Sequence, residues 1–335
     1  MKKVIVFGAT GNTGAYFTEY LAEHLDSAEY EVIAVGRRKT DYFANRGIAY
    51  YAVDIEAAED FDKLPQEDIY CVAFLAGILP AYMKGYHPER YILTNSLGAL
   101  HVLEYCRKTG AEKILYTQTI SDILGNVKEN PLIKPYDKRN IIMKGDHTVY
   151  ALSKCFAVDL IRHYQEEYGL KPYIFRLPTI YAYTPDEYYY VDGEKRMLGY
   201  RILMNKAMNG EPIEMWGDPK RAKDIVYVGD FCQMLYLAVI SGNDGGIYNV
   251  GTGIATTLEE QLKGLVEVFS PEGHRSVIIP RPDMPDAPAY LMDISNAVEE
   301  LGYRPAYSYM DYLRAFKEEM RLNRFAGLRE SETRG

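Results

Sequence analysis

The stretch Val4-Ile-Val-Phe-Gly8-Ala-Thr-Gly11-Asn-Thr-Gly14 decides the fold of this 335-residue chain. Its apolar run at 4–7 predicts a buried strand, and the amphipathic stretch at 15–24 predicts a helix directly after the glycines. Glycines permit a tight turn and a close backbone approach to a pyrophosphate, while a helix N-terminus offers unpaired amides and a positive dipole end. The succession of strand, glycine loop and helix therefore predicts a dinucleotide-binding unit.

Beyond this unit, short apolar runs alternate with longer amphipathic stretches, which is typical of a parallel sheet with helices on both faces. Further strands are predicted at 31–35, 50–53, 71–75, 113–117 and 172–176, and the clearest helices at 89–108, 149–168 and 310–322. The predicted fold class is α/β, a doubly wound Rossmann parallel sheet with a smaller C-terminal α/β substrate domain. The predicted boundaries are 1–178 for the dinucleotide-binding domain, with a return segment at 222–248, 179–328 for the substrate domain and 329–335 for a tail.

The composition excludes several classes of partner. Lys and Arg number 38 against 47 Asp and Glu, a formal net charge of −9, so binding of nucleic acid is not expected. The chain has no apolar run of the roughly 18 residues that cross a bilayer and no signal peptide, which predicts a cytoplasmic protein without a membrane partner. The four cysteines have no CxxC or CxxH spacing, so neither disulfides nor a metal site are expected.

The glycine loop and the end of the second strand indicate the cofactor. Where NAD would call for an acidic residue to bind the adenosine ribose, the sequence has Gly36-Arg37-Arg38. Two guanidiniums suit a 2′-phosphate, so NADP is predicted and NAD is the alternative. Asp54 is the candidate acceptor for the adenine amino group, although a capping Asp would look the same. The loop residues predicted to contact the cofactor are Gly8, Thr10, Gly11, Asn12, Thr13 and Gly14.

A tyrosine and a lysine four residues apart form the candidate catalytic pair. In Tyr150-Ala-Leu-Ser-Lys154, helical spacing places the phenol and the ammonium on one face. A free tyrosine has a pKa near 10, and a neighbouring cation is expected to lower the pKa of the Tyr150 phenol enough for proton transfer. A hydroxyl from the end of the fifth strand should bind the reacting oxygen; Thr119 is the first choice and Ser121 the reserve.

Several separated motifs carry a resemblance to one family. They are Gly8, Gly11 and Gly14; Leu75-Ala76-Gly77; Asn95-Ser-Leu-Gly98; Tyr150 and Lys154; Arg176-Leu-Pro178-Thr-Ile-Tyr181; Asp224 with Asp230; Tyr248-Asn249-Val-Gly251; Asp293-Ile-Ser295; and Leu301-Gly302-Tyr-Arg-Pro305. Over nearly its whole length the chain resembles an extended short-chain dehydrogenase/reductase of the NAD(P)-dependent epimerase/dehydratase family, whose members mostly act on nucleotide sugars.

The resemblance implies a mechanism and further site residues. Tyr150 would remove a hydroxyl proton while hydride passes from the same sugar carbon to the nicotinamide, with Thr119 stabilising the oxygen and Lys154 also binding the nicotinamide ribose. It also implies a homodimer formed by the helices at 89–108 and 149–168. Implied cofactor contacts are Ile55, Leu75, Ala76, Gly77, Asn95, Tyr150, Lys154 and Pro178, and implied substrate contacts are Thr179, Arg221, Lys223 and Arg281.

Departures from the family pattern narrow the range of activities that we expect. Ile120 and Ser121 replace the Asp-Glu pair of sugar dehydratases, which disfavours dehydration, although Asp122 is close enough in sequence to leave dehydration open. Lys223 replaces an arginine that would grip a diphosphate in bidentate fashion. The favoured function is a nucleotide-sugar epimerase or keto-reductase; the alternatives are a small aldehyde or ketone reductase and a non-catalytic NADP-binding regulator. The sugar, the nucleotide and the role of 126–147 stay open.

Overall fold

The computed structural model describes residues 1–127, 131–191 and 194–328. The strands are, in chain order, β1 (Lys2–Phe7), β2 (Tyr30–Gly36), β3 (Ala49–Ala52), β4 (Ile69–Phe74), β5 (Lys113–Thr119), β6 (Leu132–Ile133), β7 (Lys171–Leu177), β8 (Ile180–Tyr181), β9 (Tyr188–Val191), β10 (Glu194–Met197), β11 (Ile213–Trp216), β12 (Ala222–Asp224), β13 (Val226–Tyr227), β14 (Gly246–Asn249), β15 (Ala255–Thr257), β16 (Ile278–Arg281) and β17 (Leu291–Met292). The α-helices are α1 (Asn12–His24), α2 (Pro88–Tyr91), α3 (Gly98–Thr109), α4 (His147–Tyr168), α5 (Gly199–Met208), α6 (Val228–Ile240), α7 (Leu258–Phe269), α8 (Ser295–Leu301) and α9 (Tyr309–Leu322).

Seven strands form a parallel sheet in the order β3-β2-β1-β4-β5-β7-β14. The chain moves outward from β1 in one direction and then returns to build the other half, so the order reverses between β1 and β4. In open α/β sheets this switch point opens a crevice beyond the carboxyl ends of the strands. The predicted doubly wound α/β class is confirmed.

Successive side chains along each strand point to opposite faces of the sheet, so the core has two layers. In β1, Val4 and Val6 belong to the layer that includes α1 and α6, whereas Ile5 and Phe7 face the layer that includes α3 and α4. All four side chains are fully buried, which explains the continuous apolar run in the sequence.

The helix predicted at 89–108 is interrupted. It comprises α2, a π-helical turn at Ile92–Leu97, and α3. The turn buries Asn95, and the glycine that follows lies where a Cβ atom would come within 2.8 Å of Ile55 Cδ1. A π-helical turn adds one residue to the helix, so apolar periodicity alone cannot locate it.

The chain beyond β7 both returns to the sheet and builds smaller pairs of strands. The last strand of the sheet, β14, was not predicted as a strand; it lies beside β7, and α6 packs against α1. Short ladders join β8 to β13, β9 to β10, β11 to β16 and β12 to β15, and β17 pairs with β6, which precedes β7.

The Asp224 carboxylate ties three of the returning segments together. It accepts hydrogen bonds from Thr252 N at 2.8 Å, Gly253 N at 3.0 Å and Met292 N at 3.4 Å. The predicted tail at 329–335 lies outside the described residues. Within the described ranges, no helix has the length and apolar character needed to span a bilayer.

Candidate active site

The glycine loop is shaped for the close approach of a ligand. Gly8 directly follows β1 and has φ +88°, a left-handed conformation that favours glycine, and a Cβ atom there would lie 2.6 Å from Ala76 N. A Cβ atom at Gly14 would lie 2.0 Å from Gly8 O. Gly11 caps α1 without a side-chain hydrogen bond, so the first amides of the helix can serve an anionic ligand. This geometry fits the pyrophosphate of a dinucleotide.

The remaining predicted loop residues lie in the same turn. Thr10 packs over Gly36, where a Cβ atom would be 2.7 Å from Thr10 Oγ1. Asn12 Nδ2 donates to Tyr82 OH at 2.6 Å, and Thr13 follows in the first turn of α1. Tyr82 thus brings the loop after β4 against the glycine loop.

At the end of β2, the two predicted arginines differ in environment. Arg37 is exposed, whereas Arg38 is half-buried and its Nη1 donates to Leu328 O at 3.5 Å. The hydroxyl of Tyr50 donates to Gly36 O at 3.1 Å and to Arg38 O, which fixes the backbone of this segment. The Arg37 guanidinium therefore lies at the surface beside the end of β2.

Two predicted cofactor residues follow β3. The Asp54 carboxylate accepts a hydrogen bond from Glu56 N at 3.0 Å, the local capping contact that the sequence left open as an alternative to binding adenine. Ile55 is buried against Gly98 at the start of α3.

Tyr150 lies in the first turn of α4 and is 8% exposed. Burial raises the pKa of Tyr150 to about 12, while the Thr119 side chain at the end of β5 acts on this pKa in the opposite direction. The expected lowering of this pKa was wrong for the protein as it stands, because burial dominates. Ser121 is adjacent, and its backbone N donates to Thr119 Oγ1 at 3.1 Å.

Lys154 lies one helical turn after Tyr150 and is 5% exposed. Its ammonium lies 4.1 Å from the centre of the Tyr116 ring, and burial lowers the pKa of Lys154 to about 7. A Cβ atom at Gly77 would lie 3.9 Å from Lys154 Nζ, which places the loop after β4 beside the amine.

Asn95, from the π-helical turn, holds this arrangement together. Its Oδ1 accepts from Ile78 N at 2.9 Å, and its Nδ2 donates to Ile78 O at 3.1 Å and to Ser153 Oγ at 3.1 Å. One side chain thus joins the loop after β4 to the helical turn that carries Lys154. Leu75 and Ala76 precede Gly77 in the same loop, and Leu75 N donates to Phe7 O at 3.0 Å.

The predicted substrate residues lie beyond β7, and most of their side chains form hydrogen bonds or ion pairs with other residues of the chain. Pro178, predicted for the cofactor, is buried, and Thr179 after it is exposed. Lys223 Nζ donates to Tyr181 OH at 2.9 Å, and burial lowers the pKa of Lys223. The two arginines are held as follows: Arg221 Nε donates to Ala287 O at 3.1 Å, and Arg281 forms ion pairs with Glu214 at 2.7 Å and Asp283 at 2.9 Å.

Asp122 is committed to a buried ion pair. Arg176 Nε lies 3.0 Å from Asp122 Oδ1, and both side chains are at least nine-tenths buried. Arg176 also donates to Pro135 O at 2.9 Å, which ties the segment after β6 to the end of β7. Asp122 therefore has a structural partner, which is consistent with the disfavoured dehydration.

Sequence reasoning missed three aromatic neighbours of the catalytic pair. The Tyr91 ring lies 5.9 Å from the Tyr150 ring, and the His147 ring lies 6.3 Å from it. Tyr116 could have been found from strand alternation, since it lies two residues from Gln118 on the face of β5 that α4 covers. Tyr91 gave no such signal, because its position depends on the interrupted helix.

Comparison with known proteins places the chain in a family. The model of the NAD dependent epimerase/dehydratase family matches residues 4–251, so the chain belongs to that family. A putative UDP-glucose 4-epimerase of Methanocaldococcus jannaschii is 26% identical over 306 residues, covering 90% of this chain and 93% of that protein. UDP-glucuronic acid decarboxylase 5 of Arabidopsis thaliana is 26% identical, covering 96% and 89%.

Solved structures agree with this membership. A UDP-glucose 4-epimerase from Thermotoga maritima, crystallised with UDP-glucose, has a TM-score of 0.75 at 26% identity and covers 96% of this chain and 99% of its own. A UDP-glucuronic acid 4-epimerase from Bacillus cereus in complex with NAD has a TM-score of 0.74 at 19% identity, covering 95% and 98%. The predicted family and enzyme class are confirmed: the chain is an NAD(P)-dependent enzyme of the extended short-chain dehydrogenase/reductase type.

Proposed function

We propose that this protein interconverts epimers of a nucleotide sugar with a bound nicotinamide dinucleotide. The observation that carries the proposal is the buried Tyr150 phenol, whose pKa Thr119 at the carboxyl end of β5 acts on, one helical turn from the buried amine of Lys154. The arrangement lies next to a glycine loop shaped for a pyrophosphate, in a family whose similar members include UDP-sugar epimerases.

The residues divide the chemistry between them. When bound, the dinucleotide accepts a hydride from the sugar carbon and returns it. Tyr150 takes the proton of the hydroxyl on that carbon and gives it back when the hydride returns to the opposite face. Thr119 donates a hydrogen bond to the reacting oxygen, and Lys154 in its cationic form stabilises the phenolate.

The proposed cofactor is NADP. Arg37 lies exposed beside the end of β2, where a carboxylate for the ribose hydroxyls is missing. A guanidinium at this place favours a 2′-phosphate. The local hydrogen bond that Asp54 accepts from Glu56 N suits a structural role for that carboxylate.

The assembly that we propose is a homodimer. The π-helical turn exposes Ile92 by 49%, and the adjacent α4 exposes Leu152 by 43% and Phe156 by 52%. Such neighbouring apolar side chains favour association through this face. The four cysteines are free thiols, which fits the cytoplasmic location expected from the sequence.

Product analysis tests the proposed activity. Purified protein is incubated with UDP-glucose, UDP-N-acetylglucosamine or UDP-glucuronic acid, and the products are followed by NMR together with NADPH absorbance. An epimer formed without net change in the cofactor supports the proposal. Formation of NADPH from NADP in proportion to an oxidised keto-sugar product would identify a keto-reductase working in reverse instead, and no conversion of any of these nucleotide sugars by cofactor-loaded protein would contradict both.

A further inference from the structure

The segment at 323–328, which follows α9, packs against the helix that begins at the glycine loop. The Phe325 ring lies 4.6 Å from the Tyr16 ring of α1, and Phe325 is 3% exposed. Leu328, at the other end of the segment, is also buried. The 323–328 segment is therefore a packed part of the fold that the proposed mechanism does not use.

The same segment contacts residues 37–46, the stretch after β2 that begins with the two predicted arginines. The Phe325 ring lies 6.0 Å from the Tyr42 ring. The Tyr42 hydroxyl donates to Arg324 O at 3.3 Å. Tyr42 is 8% exposed, so these contacts lie in the interior of the protein. The 323–328 segment thus adjoins both α1 and the 37–46 stretch.

One carboxylate joins these three elements. Glu19, in α1, has a side chain that is 11% exposed, and it accepts a hydrogen bond from the Tyr42 hydroxyl at 2.5 Å. Its carboxylate also pairs with Arg46 Nε at 3.1 Å and with Arg324 Nη1 at 2.8 Å. Removal of one partner of a largely buried charge is costly, because the charge is then left uncompensated. The three elements are therefore expected to hold one another in place.

Each guanidinium of this cluster has a second attachment. Arg46 Nη1 donates to Tyr42 O at 3.1 Å, and its guanidinium lies 3.6 Å from the centre of the Tyr42 ring. Arg324 pairs with Glu319, in the last turn of α9, at 2.8 Å and 2.9 Å. The two guanidiniums and the two carboxylates balance one another in charge, which suits positioning of the chain rather than binding of an anion.

The stretch with the two predicted arginines begins beside the glycine loop. A Cβ atom at Gly36 would lie 2.7 Å from Thr10 Oγ1, in the loop predicted to contact the cofactor. Arg38 Nη1 donates to Leu328 O at 3.5 Å, whereas Arg37 is exposed. Arg37 therefore lies between backbone that adjoins the glycine loop and a neighbour that contacts the segment after α9.

We propose that the 323–328 segment is a positioning element for recognition of the 2′-phosphate of the cofactor. Through Phe325 and Tyr42 it holds the 37–46 stretch on α1 and thereby keeps Arg37 at one place relative to the glycine loop. A guanidinium on a loosely held stretch is in the binding arrangement only part of the time, and the apparent affinity falls by that fraction. The inference rests on the proposed preference for NADP.

Two variants test the attachment without changing an arginine. Tyr42→Phe removes only the hydroxyl that donates to Glu19 and to Arg324 O, and Phe325→Ala removes the ring that packs on Tyr16. Each variant should weaken binding of adenosine 2′,5′-bisphosphate about 3- to 10-fold and leave binding of adenosine 5′-phosphate nearly unchanged. Calorimetry measures both affinities, and thermal unfolding measures folding.

Matched controls make the same chemical changes elsewhere. Tyr248→Phe removes a phenol that donates to Glu300 Oε2 at 2.7 Å; it lies in β14, at the opposite edge of the sheet from β3. Phe269→Ala truncates a buried ring at the end of α7. Both controls should lower thermal stability but keep the ratio of the two nucleotide affinities, which a purely structural role would not distinguish from the test variants.

The outcomes separate this inference from the proposed function. Loss of the preference for the bisphosphate in both test variants and in neither control supports the inference. Retention of the preference in either test variant, or an equal loss in the controls, overturns it. If the unmodified protein binds the two nucleotides equally well, the proposed NADP preference is wrong and the inference falls with it. Selective binding without epimerisation would contradict the proposed activity alone.

Hydrogen exchange on the unmodified protein covers variants that do not fold. Coupling between two sites is reciprocal, so a ligand that needs the 37–46 stretch in place should also stabilise the 323–328 segment. Adenosine 2′,5′-bisphosphate at saturation should therefore slow amide exchange at 323–328 more than adenosine 5′-phosphate does. Equal exchange with the two nucleotides overturns the inference.

Discussion

The Lys154 ammonium rests on the face of the Tyr116 ring, 4.1 Å from its centre. An aromatic face attracts a cation but offers less than a carboxylate would. Burial therefore prevails and lowers the pKa of Lys154 to about 7. The amine that we propose for catalysis is thus kept at a place where its charge is unfavourable for folding.

Replacing Lys154 should increase the free energy of unfolding and abolish turnover. A pKa lowered from 10.5 to about 7 corresponds to a cost of about 5 kcal/mol at pH 7. Because the folded-state pKa is the lower one, this cost is full below pH 7 and declines as the pH rises toward 10.5. Lys154→Met should therefore unfold at higher urea concentration than the unmodified protein at pH 7. The difference in free energy of unfolding between the variant and the unmodified protein should be smaller by about 2–3 kcal/mol at pH 9. Turnover should be lost.

Lys113 is the matched control for this experiment. It is 1% exposed, and its Nζ donates to Val239 O at 2.9 Å and Ala238 O at 3.4 Å at the end of α6. Lys113→Met leaves these carbonyls without their donor and should destabilise the protein by about 1–3 kcal/mol. A gain in stability from both substitutions would contradict the inference that burial of the Lys154 charge is what destabilises the fold.

Tyr150→Phe should separate catalysis from binding. The substitution removes the phenolic oxygen but keeps the ring against Tyr91. Turnover should fall about 100-fold or more, the usual contribution of a general acid or base, while NADPH affinity should change little. Steady-state rates and fluorescence titration measure the two effects. Near-normal turnover would remove Tyr150 from the mechanism.

The exposed Arg37 should determine cofactor preference. Loss of its contact with a 2′-phosphate in Arg37→Ala should weaken NADPH binding about 10-fold or more and leave NADH binding nearly unchanged. Lys39→Ala, a neighbouring exposed cation, controls for general electrostatics. Tighter binding of NADH than of NADPH by the unmodified protein would show that the arginines do not select the phosphate.

Asp230 should make stability depend on pH in the acidic range. Burial raises its pKa to about 6, although it accepts a hydrogen bond from Ala306 N at 2.6 Å. Since the folded-state pKa is the higher one, this stabilisation is full below about pH 4 and is lost as the pH rises through 6. The difference amounts to about 3 kcal/mol. Asp230→Asn should remove it, and urea unfolding at pH 4 and pH 7 measures the change.

The exposed Asp283 is the control, because its contribution to stability should depend on pH in the opposite direction. Its bond with Arg281 lowers its pKa, so its contribution is lost as the pH falls. Asp283→Asn should therefore leave the decline between pH 4 and pH 7 in place. If Asp230→Asn keeps the full decline as well, another group is responsible.

The proposed dimer face can be disrupted by one charge. Phe156→Glu places a carboxylate in the apolar surface of α4 and should shift the protein to monomers in light scattering at micromolar concentration. Ile254→Glu, at a side chain 63% exposed before β15, should leave the mass unchanged. A monomeric unmodified protein would rule out the dimer at that concentration.

Local sequence was enough to predict six of the seven strands of the sheet and the places of the glycine loop and the Tyr150 to Lys154 turn, but not the edge strand β14. Buried parallel strands are nearly continuous apolar runs, and glycine spacing follows directly from backbone geometry. The electrostatics could not be predicted in the same way. The pKa of Tyr150 depends on how completely other segments bury it, and Asn95 reaches Ile78 only because of the π-helical turn.

The hydrogen bonds that Asp224 accepts from Thr252, Gly253 and Met292 couple the unfolding of three segments. Strand β12, the loop after β14 and strand β17 share one carboxylate, so none of them can detach alone without leaving it buried and short of donors. Proteases should therefore find these peptide bonds only when the whole returning part of the chain opens, and cleavage there should report on cooperative unfolding rather than on loose loops.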